Sequence, residues 1–214
     1  MNADDFARFL RANPGFFDQH PELLESIHVP HPYGGRAIPL AERQTVALRE
    51  KVRGLEGRLA ELMRFGEEND AISEKVHRLA VALVGARDFP ALARSLYFHL
   101  REDFAVPHVA LRVWGKSVPV DFDEALPVDE AQRRFVEALG APQCGPSAGH
   151  PFTPCFGEAA ERVRSIALVP LGETAVFGAL ALASEDPQRF YAEMGTLYLR
   201  RIGELCAAGV SARL

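Results

Sequence analysis

Lysine is nearly missing from this chain: of 24 basic residues only Lys51, Lys75 and Lys116 are Lys, and the rest are Arg. In a chain also rich in Ala that bias is what a GC-rich genome produces, so neighbouring arginines do not by themselves mark an anion site. Cysteine is sparse as well. Cys144, Cys155 and Cys206 are odd in number and far apart in 214 residues, which excludes a disulfide framework and fits a reducing compartment. No long apolar run exists; the longest is the nine residues from Ala175 to Ala183, against the roughly 20 that a membrane helix needs. The start, MNADDFARFL, carries Asp4 and Asp5 where a secretory signal carries basic residues. The expectation is a cytoplasmic protein with no membrane partner.

Charge of one sign is also lacking. Residues 41–78 hold eight basic and eight acidic side chains, so this stretch is a mixed solvated surface and not a phosphate-neutralising stripe. Nucleic acid is therefore not an expected partner. What remains is a chain 48% apolar and 25% charged, enough for a packed core.

Proline is absent between Pro39 and Pro90, and there the pattern is most regular. Before it, FARFL gives way to Asn13-Pro14-Gly15 and HPELL. Then follows the connector SIHVPHPYGGRAIP, whose Pro30, Pro32, Pro39 and Gly34-Gly35 break any continuous helix or strand. After Pro39, Leu48, Val52, Leu55, Leu59 and Leu62 recur in steps of four, three, four and three, the seam of a coiled coil. Phe65, Asn69, Ile72, Val76, Leu79 and Leu83 resume the pattern after one extra step of three, a stammer that overwinds a coil locally. Gly66 beside it, with Gly54 and Gly57, softens the helix by about 1 kcal/mol each relative to Ala. Asn69 falls on an a position, where a buried amide can pair with its symmetry mate and fix a parallel register. Residues 48–79 on this seam are the expected interface of a parallel homodimer. The alternative is one amphipathic helix folded onto its own domain.

From residue 84 the pattern changes. Phe89, Leu92, Leu96, Leu100 and Phe104 line one helical face ahead of Pro107. HVALRVW alternates as a strand, with Val109, Leu111 and Val113 on one face and Ala110, Arg112 and Trp114 on the other. VDEAQRRFVEAL reads as a helix, and the stretch from Ala141 as a weak strand followed by a long loop. RSIALVPL and AVFGALALA read as a hairpin across Gly172-Glu173-Thr174, apolar enough to be covered on both faces. Met194, Leu197, Tyr198, Ile202 and Leu205 give a last helix. The fold class is α+β with helices against one antiparallel sheet. The expected organisation is a helical N-terminal segment and connector (1–39), a long coiled-coil helix (40–83) and a mixed domain (84–214).

A long helix leading into such a domain, closed by a helix alongside it, resembles a GAF domain, the small-molecule-sensing relative of PAS. More specifically, NPGFFDQHPELL with HVPHPYGGRAIPLAERQ, then RSIALVPL, then LALASEDPQRFYAEMGTLYL resemble the bacterial domain-of-unknown-function family 484, over about Phe6 to Leu205. The resemblance implies a GAF-like fold without an attached output domain, and no particular activity. The residue set of cyclic-nucleotide-binding GAF domains is not found here, nor is a bilin-anchoring cysteine beside a histidine.

Three groups carry candidate chemistry. Cys144, His150 and Cys155 share one loop, as a redox pair or as isolated thiols; their spacing matches no usual zinc pattern. A redox reading would make the chain similar to the GAF-like free methionine-sulfoxide reductases, and it needs a low-pKa thiolate that no charged neighbour of Cys144 supplies. Arg112 and Trp114 share a strand face that suits an anionic or planar ligand, or else sit at a core and its rim. Phe152 and Phe156 are pocket lids or loop anchors. His20, His28 and His31 lie beside prolines, where Pro30 prevents the helical spacing a metal pair would use, and point to packing or docking. These residues do not identify a cofactor. Together these features lead to a non-enzymatic homodimeric sensor that binds a small molecule and signals to a separate protein partner. A thiol-based reductase and a ligandless dimeric scaffold are the alternatives.

Overall fold

The computed structural model describes residues 2–29, 38–115, 122–172 and 175–214, and residues 1–67 and 68–214 form two compact units. In the first, Asn2 and Asp5 cap α1 (Ala3–Ala12) reciprocally. The Asn2 side chain accepts the Asp5 N–H at 2.8 Å and the Asp5 carboxylate accepts the Asn2 N–H at 3.2 Å. Asn13-Pro14-Gly15 ends that helix as expected, and two short helices follow, α2 (Phe16–Gln19) and α3 (Pro21–Ser26), the latter with Pro21 in its first turn. None of the three buries a residue, although Phe16 lies edge-on to Phe9 and Phe17 with centroids 5.6 and 5.4 Å away. β1 (His28–Val29) and β2 (Ile38–Pro39) pair antiparallel. The connector's Pro30, His31, Pro32 and Gly34-Gly35 lie outside the described residues.

The proline-free window is one helix, α4 (Leu40–Gly85), 46 residues long. Gly54, Gly57 and Gly66 do not interrupt it. Along Leu48, Val52, Leu55, Leu59 and Leu62 the side chains are 50 to 66% exposed.

The second unit begins at Glu68, within α4, and continues past the end of that helix at Gly85. Asp88 caps α5 (Phe89–Glu102) by accepting the Ala91 N–H at 2.7 Å, and Phe89, Leu92, Leu96 and Leu100 are buried, as their spacing predicts. Then come β3 (His108–Val113), α6 (Glu130–Glu137) with an Asp129–Gln132 capping box, β4 (Gln143–Pro146), a 3-10 segment (Thr153–Glu161), β5 (Ser165–Leu171), β6 (Gly178–Ser184) and α7 (Leu197–Ser211). The four strands form one antiparallel sheet in the order β3-β6-β5-β4. β5 and β6 are the expected hairpin, although Glu173 and Thr174 at its tip lie outside the described residues. Met194 is not on the last helix: its N–H bonds Tyr191 in a turn, and α7 begins only at Leu197. Gly195 and the turn before it override the helical spacing.

Two apolar clusters cover the two faces of the sheet. Val109, Leu111, Val113, Ala167, Val169, Leu180 and Leu182 pack with α5 and α7. Ala110, Trp114, Ile166, Leu168, Ala179 and Ala181 pack with Val136 and Phe152. The alternation read from HVALRVW is the observed one. α7 comes so close to β5 that a Cβ on Gly203 would lie 2.5 Å from Val169 Cγ1, so a larger residue there would force Val169 to move.

Candidate functional site

β3 carries the candidate site because its alternation sends His108, Ala110, Arg112 and Trp114 to the face away from α5 and α7. Arg112 is only 7% exposed, and its guanidinium donates to the Leu111 carbonyl at 2.9 Å and to the Cys155 carbonyl at 3.3 Å. A buried cation of this kind needs such partners. Behind it lies Glu124, 4% exposed, bonded to the Tyr97 hydroxyl. That hydroxyl also accepts the Leu111 N–H at 3.3 Å. Burial first, then the Glu124 carboxylate, hold the Tyr97 phenol protonated far above its ordinary range, against a smaller opposing pull from Arg112.

In front of Arg112 opens a groove of about 390 Å³ lined by Arg101, His108, Asp123, Cys155 and Phe156 among others. Gly157 closes its loop side with φ 56°, a left-handed conformation that favours glycine. The His108 and Phe156 rings lie 6.3 Å apart, and His108 Nε2 is 3.7 Å from the Glu185 carboxylate.

Of the residues singled out in the sequence, Arg112 and Phe156 therefore meet at one groove, with Cys155. Trp114 and Phe152, 8% and 0% exposed, are core side chains of the neighbouring cluster, against which Phe156 also packs. His150 lies against Phe135 edge-on at 5.4 Å, its Nδ1 accepting the Phe152 N–H at 3.2 Å, and burial holds its pKa below the usual histidine value. Cys144 lines a separate groove of about 380 Å³ with His150 and Phe135, away from Cys155: it pairs with Ala167 and packs in the cluster on the opposite face of the sheet from the one Cys155 packs against. Burial pushes the Cys144 thiol up to about 11 and that of the enclosed Cys206 to about 12. Cys155 is also raised by burial, with Arg112 opposing. Among the described residues no three His, Cys, Asp or Glu side chains gather as metal ligands.

His108 was legible from the β3 alternation and went unread. Arg101 and Tyr97 reach the site from α5, and Asp123 and Glu124 from a 3-10 turn (Asp123–Ala125), and nothing in their local spacing announces it.

On α4, Leu48, Val52, Leu55, Leu59, Leu62 and Phe65 stay exposed, Ile72 is partly covered, Val76 packs against the domain core and Leu79 is fully buried in it. Leu79 is thus covered by its own domain. The Asn69 side chain has a neighbour in its own chain: the Tyr198 hydroxyl lies 3.4 Å from Asn69 Oδ1 and 3.0 Å from its main-chain carbonyl, and 3.1 Å from the Ser73 hydroxyl.

The sequence model of the family described as "Protein of unknown function, DUF484" matches residues 1–211. The chain belongs to that family. Among solved structures it is similar to the nlh2 GAF domain of A. aeolicus, crystallised in an inactive state, at 16% identity over 68% of this chain and 99% of that one, with a TM-score of 0.46. No curated protein matches it. The family assignment agrees with the three sequence stretches that resembled family 484. For the family member described here, the α+β architecture with helices preceding a four-stranded antiparallel sheet is as expected, and no described helix is long and apolar enough to cross a membrane.

Proposed function

We propose that this family member is a non-enzymatic, homodimeric, GAF-like regulatory protein. A small molecule occupies the groove beside Arg112, the exposed seam of α4 pairs with a second copy, and a separate protein partner reads the result. The observation that carries this reading is the stripe of Leu48, Val52, Leu55, Leu59 and Leu62, each at least half exposed on a helix that runs unbroken into the domain. Such a heptad stripe covers itself most simply against its own copy. The stammer between Leu62 and Phe65 supports two packings of similar energy, which is what a signalling helix needs. The N-terminal segment, with His20, His28 and its prolines, is the proposed docking region for the protein partner. Sedimentation of the full chain at micromolar concentration tests the dimer, and a monomer overturns it. Native mass spectrometry tests for a retained small molecule.

A second reading, the ligandless scaffold, draws support from Trp114 and Phe152, which fill the sheet face where a deep pocket would open. It predicts a dimer that retains nothing in the native spectrum. Thiol reductase chemistry has less support, since all three thiols are raised and Cys144 and Cys155 pack on opposite faces of the sheet.

A further inference from the structure

We infer that the groove beside Arg112 takes a small monocarboxylate, an apolar body carrying one negative charge. The inference rests on the small-molecule half of the function proposed above and names the chemical class. The groove's volume of about 390 Å³ suits a compact ligand. Its charged lining is Arg101 and Arg112 against Asp123, with His108 between. Among the described residues, Arg112 donates to the Leu111 and Cys155 carbonyls and also bonds the Cys155 thiol, which leaves part of its five N–H donors for a ligand. Arg112 forms part of the groove wall, and a planar guanidinium matches the two oxygens of a carboxylate. A ligand's apolar body meets Val109, Leu126 and Phe156.

Charge sets the limit of one. The lining holds two fixed positive groups and one negative, a surplus that a monoanion balances. Glu124, bonded to Tyr97 behind Arg112, weakens the field further. A phosphate dianion would bring charge that nothing in the lining neutralises and would meet Asp123.

The test titrates the full-length protein with sodium benzoate, benzamide and inorganic phosphate by calorimetry, and follows backbone amide resonances. Benzoate is expected to bind and to shift the Val109, Cys155 and Phe156 amides, with benzamide and phosphate weaker by about tenfold or more. Arg101→Ala, at an exposed position that folding tolerates, is expected to weaken benzoate by about tenfold. Arg112→Lys keeps the charge, loses the fork and gives a loss of similar size. No benzoate binding, benzamide binding as tightly as benzoate, phosphate binding more tightly, or indifference to Arg101→Ala each overturns the inference. A neutral molecule retained in the native mass spectrum and mapped to this groove sinks the monocarboxylate while the proposed function stands. If no probe binds and the native spectrum carries no retained molecule, both fall.

Discussion

Arg213 does for the end of α4 what no side chain of α4 itself does. Its guanidinium donates to the Leu83 carbonyl at 2.9 Å, to the Ala86 carbonyl at 2.6 and 3.0 Å, and back to the Gly209 carbonyl of α7 at 2.9 Å. The last carbonyls of a helix have no partner within it, and a cation there also suits the helix dipole. Arg213→Ala is expected to lower stability by ~1.5–3 kcal/mol, read as a fall in the urea midpoint with an unchanged slope. Nothing in the sequence announces this contact, because its partners are backbone atoms more than a hundred residues away. Asp103 gives a second residue-scale prediction. The hydrogen bond from His99, at 2.6 Å, chiefly holds its carboxyl below the usual carboxylate range, with Arg78 at 3.3 Å assisting. A carboxyl lowered on folding stabilises the protein fully above its ordinary pKa, and that contribution disappears as pH falls through the lowered value. Urea midpoints are therefore expected to fall as pH drops below about 4, and Asp103→Asn is expected to flatten that acid limb.

At the scale of the element, α4 presents the same heptad spacing to two different surroundings. Leu59 is 58% exposed and Leu79 is fully buried in the domain, twenty positions further along the same seam. The apolar period was legible, but what covers each turn was not, since a heptad leucine has the same spacing whether it meets a second copy or its own sheet. The two kinds of position separate by experiment. Leu79→Ala is expected to destabilise the domain by ~2–5 kcal/mol, seen as a lower thermal midpoint at any protein concentration. Leu59→Asp is expected to leave that midpoint at high dilution unchanged and to convert the sedimenting species to monomer. Should Leu59→Asp lower the dilute midpoint as much as Leu79→Ala does, the seam serves the protomer and not a dimer. Asn69 follows the same logic: its a position suits a contact between copies, while the Tyr198 hydroxyl of α7 lies 3.4 Å from its side-chain Oδ1.

For the molecule as a whole, the sheet is the feature that decides which residues can meet. Strand alternation in HVALRVW divided β3 correctly between the two cores, because each residue's face follows from its parity once the strand is known. The loop from Ala141 offered no such rule. Cys144 and Cys155 lie eleven residues apart in sequence, yet the first sits on β4 facing the α5 and α7 core and the second against the Trp114 cluster on the other face. Nearness in sequence suggested a redox pair, and the sheet between them separates it. A disulfide needs Cα atoms within about 7 Å and side chains turned toward each other, which residues directed to opposite faces do not offer. Under mild oxidant the native protein is therefore expected to form no Cys144–Cys155 bridge, read by peptide mapping, whereas the same treatment in urea allows one. Alkylation gives the companion result. Cys155, partly exposed beside Arg112, is expected to react first, and Cys206, fully buried, only as the domain unfolds. A native Cys144–Cys155 bridge formed at the rate of Cys155 alkylation would mean that β4 leaves the sheet readily, and the thiol enzyme would regain its standing.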